Sequence, residues 1–319
     1  MRIGYFLSCE EYTPAQLLEQ ARLAQDAGFK ALWISDHFHP WNDEQGQSPF
    51  VWSMIGAISQ VCDLPVTTAV TCPTVRIHPA IIAQAAATAS VLLDGKFTLG
   101  IGSGEALNEH ILGDRWPSAD IRLEMLEESV EVMRKLWTGE FVTHEGTYYD
   151  VDSARIYTLP DQPPPVYISA FGPKALDLAG RIGDGFITTQ PDKESLEAFR
   201  SMAGADKGTQ AGAKCCWADT KEEAVAIAHR LWANGGVPGE LSQVLPSPRH
   251  FEQVSELVTP EMIADSMPCG PDVEAHVSAL QEFVDAGFDD VYVANIGPHY
   301  AEMMTRYQRD VIPALRPKS

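Results

Sequence analysis

The residues best suited to chemistry lie in ALWISDHFHPW, residues 31–41, where an apolar run ends in Asp36, His37, His39 and Trp41. An imidazole beside a carboxylate and an indole can remove a hydroxyl proton while the other two groups hold the charge that develops. His37 and His39 also have the His-x-His spacing of some zinc hydrolases. The strand ends that would have to supply the remaining ligands read ISAF, TTQ and ANIG, so no metal is expected. A lone histidine is often only structural; the position of His37 just past an apolar strand-like run is what favours a catalytic role.

Two further groups of residues could bind a ligand. GSGEALNE, Gly102 to Glu109, follows another strand-like run. It lacks the full GxGxxG spacing of a dinucleotide turn. Its glycines Gly102 and Gly104 would instead let a flat ring approach the backbone, with Glu105 and Asn108 as polar contacts. The alternative is a tight turn in which Glu105 is only a helix-start acid. AFGPKA, 170–175, and TTQPDKE, 188–194, each lead from a strand into a helix, where free amides can hold a phosphate with Lys174 or Lys193 assisting; ordinary capping is the competing account.

These groups need a scaffold that brings several strand ends together. Strands are expected at residues 2–8, 31–35, 66–72, 97–104, 166–170, 186–190, 212–218 and 290–297, alternating with helical segments. The first helix should start at Thr13 with Pro14 in its first turn and close at Gly28. FVTHEGTYYDV and RIYTL, within 139–165, read as a β excursion. Residues 234–271 form a Pro- and Gly-rich insertion of the sort that caps a substrate site. HYAEMMTRYQRDVIPAL reads as a closing helix. Eight strands in βα alternation predict one (β/α)8 TIM barrel over 1–319, with its chemistry at the carboxyl ends of the strands.

The composition fits a globular enzyme, with 45% hydrophobic and 21% charged residues in 319. A net charge of -21 disfavours nucleic acid and anionic membranes as partners. Six cysteines without a CxxC pair suggest reduced thiols. The first residues, RIGYFLS, read as a strand rather than a basic stretch before a long apolar core, so a cytoplasmic protein is expected.

Together, SDHFHPW, TAVTCPTVRIHPAIIAQAAAT, GIGSGEALNE, PVYISAFGP and GRIGDGFITT resemble the luciferase-like barrel oxidoreductases that use the deazaflavin coenzyme F420. The nearest subgroup comprises F420-dependent glucose-6-phosphate dehydrogenases and secondary-alcohol dehydrogenases. The resemblance implies hydride transfer between a carbinol carbon and the deazaflavin. His37 would take the hydroxyl proton, Trp41 would hold the reacting oxygen and Glu105 would supply or relay a proton. Asp36 would contact the cofactor and orient the site. A non-prolyl cis peptide would fall at Ala69 and Val70, beneath the ring. Cys72, Gly102, Gly104, Asn108 and Ser169 would line the ring site, and the cofactor phosphate would rest on amides of Ala170, Phe171 and Gly172 and near Thr189 and Gln190. Members acting on sugar phosphates grip the phosphate with two lysines and an arginine. Asp192 or Lys193, Ser242 and Ser266 stand at the corresponding places here, which points to a neutral alcohol, an unphosphorylated sugar or a lipid-like hydroxyl. Members of the family often dimerise through outer helices, so a homodimer is an open expectation. The alternatives are a flavin mononucleotide enzyme on the same barrel and a metal-dependent hydrolase.

Overall fold

The computed structural model describes residues 1–316; the last residues of the expected 1–319 span lie outside them. Its strands are β1 (Arg2–Leu7), β2 (Leu32–Ile34), β3 (Val66–Thr68), β4 (Phe97–Ile101), β5 (Val142–Glu145), β6 (Asp150–Ala154), β7 (Val166–Ser169), β8 (Gly185–Thr188), β9 (Gly208–Cys215) and β10 (Asp290–Asn295). The helices α1 (Pro14–Asp26), α2 (Val51–Ile58), α3 (Pro79–Leu92), α4 (Ala106–Glu109), α5 (Ala119–Leu136), α6 (Pro173–Ile182) and α7 (Lys193–Ala203) punctuate the first part of the chain. The helices α8 (Lys221–Trp232), α9 (Leu241–Val244), α10 (Pro248–Ser255), α11 (Pro260–Ser266), α12 (Val273–Ala286) and α13 (Tyr300–Arg306) follow.

Eight strands close a parallel barrel in the order β1-β10-β9-β8-β7-β4-β3-β2, so first and last strands pair and no barrel edge is left open. β5 and β6 form a separate antiparallel hairpin. Helix α1 starts as its sequence requires: Thr13 and Gln16 make a reciprocal capping box, and Gly28 follows at φ 81. None of the helices is long and apolar enough to cross a membrane, among the described residues.

The barrel interior is packed rather than hollow. Trp33 of β2 stacks on Tyr292 of β10 with ring centroids 4.5 Å apart, and its indole N–H donates to Gln210 of β9 at 2.7 Å. Glycine makes the room. A Cβ on Gly4 would lie 2.4 Å from the Tyr292 ring, and one on Gly212 would lie 2.5 Å from Trp33. At Gly100 the constraint is backbone, since a Cβ there would stand 1.9 Å from the Thr68 carbonyl oxygen on the neighbouring strand. Gly100→Ala is therefore expected to destabilise the barrel by about 2–3 kcal/mol through overpacking. An unchanged urea midpoint would show that β3 and β4 can separate at no cost.

Several boundaries differ from those expected. The third strand ends at Thr68 rather than residue 72, because the Ala69–Val70 peptide is cis and the chain rejoins β4 only at an isolated Thr71–Ile101 bridge. The seventh barrel strand spans 208–215 rather than 212–218, since Gly208 already pairs with Gly185. In the β excursion the second strand is Asp150–Ala154, and RIYTL, 155–159, lies wholly beyond it. The closing segment is three pieces, with a π-helical turn at Tyr307–Val311 and a 3-10 turn at Ile312–Ala314, where Pro313 lacks the amide needed to continue an α-helix. The insertion folds as α9, α10 and α11 and touches the barrel mouth: Gln243 accepts a 2.7 Å bond from Arg122, and Phe251 stands edge-on to Trp41 at 4.9 Å.

Candidate active site

The loop after β2 carries Asp36 to Trp41, and hydrogen bonds hold Asp36, His37 and His39 in place. The His37 Nδ1 lies 3.1 Å from the carbonyl oxygen of His39. A carbonyl only accepts, so Nδ1 carries the hydrogen, and in the neutral ring the lone pair is on Nε2. Nε2 faces two carboxylates, Glu10 Oε1 at 3.3 Å and Glu105 Oε1 at 3.2 Å. An imidazole held this way can accept a proton at Nε2, and the positive charge it gains is compensated from both sides.

Each of those acids is itself held in place. Glu10 accepts a 2.7 Å bond from the Ser35 hydroxyl, and Ser35 in turn accepts the Cys9 amide at 2.8 Å. Glu105 accepts the side-chain amide of Asn108 at 2.7 Å, while the Asn108 oxygen takes the amides of Phe38 and His39 at 2.8 and 3.0 Å. Asn108 thereby ties the β4 loop to the β2 loop. Glu105 does occupy the N-cap position of α4, yet its side chain makes no capping bond; it turns to His37 instead. Trp41 lies 5.0 Å from His37, ring to ring, and its indole N–H makes no hydrogen bond among the described residues.

Asp36 is almost fully enclosed. Its two oxygens take Thr71 Oγ1 at 2.8 Å and Arg76 Nη2 at 2.9 Å, so in this structure its carboxylate orients the loop. Arg76 also pairs with Glu109 at 3.3 Å. Burial pushes the Glu109 carboxyl above its usual range, with Arg76 opposing that shift.

The turns after β3 and β4 pack closely together, with side chains of the first filling the places where the glycines of the second lack a Cβ. The cis Ala69–Val70 peptide sits beside Gly102, where a Cβ would meet Val70 at 2.9 Å. Gly104 has φ 80, and a Cβ there would meet the Cys72 sulfur at 2.4 Å. Cys72 is buried with its sulfur 2.9 Å from Thr74 Oγ1, and burial pushes its thiol well up. Around the mouth, Ser169 ends β7, Ala170 is buried, and Phe171, Gly172, Thr189 and Gln190 are exposed. Gly172 is the N-cap of α6, has no side-chain capping bond, and has open space where a Cβ would stand. Lys174, by contrast, is paired with Asp120 at 2.6 Å, and Lys193 with Glu197 at 3.5 Å.

The zinc pattern is not assembled. His39 Nδ1 is directed at the Leu107 carbonyl at 2.8 Å, away from the acids that face His37, and no cluster of three or more ligating side chains occurs among the described residues.

Three participants escaped the sequence reading. Glu10 sits just past β1, where the strand-end logic applied to Asp36 would have found it. Lys214 was hidden by a misplaced boundary: in a strand over 208–215 it is the next-to-last residue. Arg76 lies in a quoted segment, but nothing local marks it as the partner of acids 40 and 33 residues away.

A closed parallel eight-stranded barrel with His37, Glu10, Glu105 and Trp41 gathered past its strand ends is an α/β barrel of the kind that carries enzyme sites on those loops. Its sequence matches the profile of the luciferase-like monooxygenase family over residues 1–290, and the chain belongs to that family. It is 34% identical over 328 residues to an F420-dependent glucose-6-phosphate dehydrogenase of Microbacterium testaceum, covering 99% of this chain and 98% of that protein. A relative of the same description in Mycolicibacterium smegmatis is 34% identical over 330 residues, covering 99% and 98%. Among solved structures, an F420-dependent secondary alcohol dehydrogenase in complex with an F420-acetone adduct superposes with a TM-score of 0.91 at 33% identity, covering 99% of both chains.

Proposed function

We propose that the protein is an F420-dependent oxidoreductase acting on CH–OH groups, moving hydride between a carbinol carbon and coenzyme F420. The observation that carries the reading is His37 Nε2, directed by the His39 carbonyl and bracketed by Glu10 and Glu105. When bound, F420 supplies a ring carbon that accepts or returns hydride. The residues fit it at the phosphate end, where the uncapped start of α6 at Gly172, with open space at the Cβ position, leaves amides for a phosphate.

In the oxidative direction His37 Nε2 takes the hydroxyl proton, while the Trp41 indole N–H donates to the reacting oxygen. Glu105, 3.2 Å from His37 Nε2, would hold or relay the proton. Asp36, Cys72, Asn108, Ser169, Ala170, Phe171, Thr189 and Gln190 complete the cofactor surround. A neutral alcohol or unphosphorylated sugar is the substrate class in this reading. Where a phosphate would have to be gripped, Asp192 caps α7, Lys193 is paired, and the Ser266 hydroxyl donates to the Ile263 carbonyl. All six thiols are free and buried, as a reducing compartment permits, so a cytoplasmic location belongs to this reading, and a homodimer is the assembly carried over from the family.

Fluorescence titration with F420, beside flavin mononucleotide and nicotinamide cofactors, tests the reading. Tight, selective F420 binding is expected. Preference for flavin mononucleotide would keep the barrel and overturn the roles given to His37, Trp41 and Glu105.

A further inference from the structure

We infer that Lys214 determines substrate specificity: with Glu10 it forms a donor and acceptor pair for a hydroxyl on the carbon next to the reacting carbinol, so that the substrate is a vicinal diol or polyol. The inference rests on the alcohol-oxidising reading above and names the substrate class for that site.

Lys214 belongs to the inward-facing set of β9. Gln210 reaches Trp33 inside the barrel, and Gly212 makes room for the same indole. Alternation along a strand therefore sends Lys214, two residues further on, inward at the mouth. Its ammonium lies 4.3 Å above the Trp232 ring, and the Trp232 indole N–H is fixed by a 2.8 Å bond to Glu11. Among the described residues Lys214 makes no hydrogen bond and no ion pair, which sets it apart from Arg76, whose guanidinium is taken up by Asp36 and Glu109. Glu10 follows β1, two strands from β9 in the barrel order, and its neighbour Glu11 holds the indole under Lys214; burial pulls the Lys214 ammonium below its ordinary range, with Glu10 opposing that shift.

A desolvated ammonium at the barrel mouth without an acceptor is costly, and a ligand oxygen relieves it. The face of Trp232 offsets only part of that cost. A hydroxyl suits the position because it can accept from Lys214 and donate to Glu10 at the same time. Glu10 Oε1 lies 3.3 Å from His37 Nε2, so oxygens on adjacent carbons can reach the two groups together. One hydroxyl can thus meet His37 while its neighbour meets Glu10 and Lys214. Trp41 and Phe251, packed edge to face, offer apolar surface for the carbon skeleton.

The test compares cyclohexanol with the stereoisomers of 1,2-cyclohexanediol as hydride donors to F420, in the wild type, Lys214→Met and Lys214→Arg. At least one diol is expected to exceed cyclohexanol by about ten-fold or more in kcat/KM. Lys214→Met should remove that preference, chiefly through KM, and leave cyclohexanol and F420 affinity within about two-fold; Lys214→Arg should restore part of it. A wild type that binds F420 but oxidises no diol better than cyclohexanol overturns the inference, and that ratio decides even if a variant does not fold. Equal losses on both alcohols in Lys214→Met overturn it too, by reducing Lys214 to a structural support. Failure of the wild type to bind F420 would count against the underlying cofactor reading instead.

Discussion

His37→Ala is expected to lower turnover by about a hundred- to ten-thousand-fold, the usual worth of a positioned general base, while F420 affinity changes by no more than about three-fold. The reason is geometric. His37 Nε2 points toward the two acids rather than into the loop's own backbone, and the ring's other nitrogen is occupied by the His39 carbonyl. Removing the imidazole deletes the proton acceptor but leaves Asn108 still tying the β2 and β4 loops together through the Phe38 and His39 amides. Single-turnover rates and F420 titration on the same preparation separate the two effects. Parallel losses in both would make His37 a binding residue.

The second large effect concerns stability. Arg76 is 6% exposed and pairs with Asp36 and Glu109, each with a side chain 1% exposed. Arg76→Met leaves two buried carboxylates facing each other without a cation, and breaking a buried pair by removing one partner costs about 3–5 kcal/mol. The sign of the pH dependence follows from Glu109. Its folded carboxyl is pushed above its usual range by burial, so the folded state holds that proton more readily than the unfolded chain. The stability this contributes is present at low pH and is lost as pH rises through the raised value. The deficit of Arg76→Met should therefore be larger at pH 8 than at pH 5. Urea unfolding at both pH values reads this directly; a deficit under about 1 kcal/mol, or one that grows in acid, would mean that the cluster is held by something other than Arg76.

Much of the fold was legible because its signals are local. Thr13, Gln16 and Gly28 bound α1 by capping chemistry that involves no distant residue. The buried runs around Trp33 and Val291 are apolar because both faces of a parallel strand are covered. Boundaries failed where pairing with a distant strand sets them: Gly208 and Thr209 become strand only because Gly185 and Phe186 lie beside them. β3 stops where the cis peptide turns the chain.

The active site divides along the same line. Asp36, His37, Trp41, Glu105 and Asn108 could be singled out because each is a polar or aromatic group soon after an apolar run, and the structure brings the β2 and β4 loops that carry them together. The sequence alone determined a βα barrel and the loops that carry its polar groups. Only the tertiary structure decided the arrangement: that Glu10 and Glu105, on different loops, share one histidine nitrogen, that Asp36 faces Arg76, and that Lys214 points into the mouth without an anion. The physical reason is that hydrogen bonds and charges act over a few ångströms in space. Barrel closure brings residue 10 to residue 37 and residue 214 to residue 232, and no spacing along the chain encodes those distances.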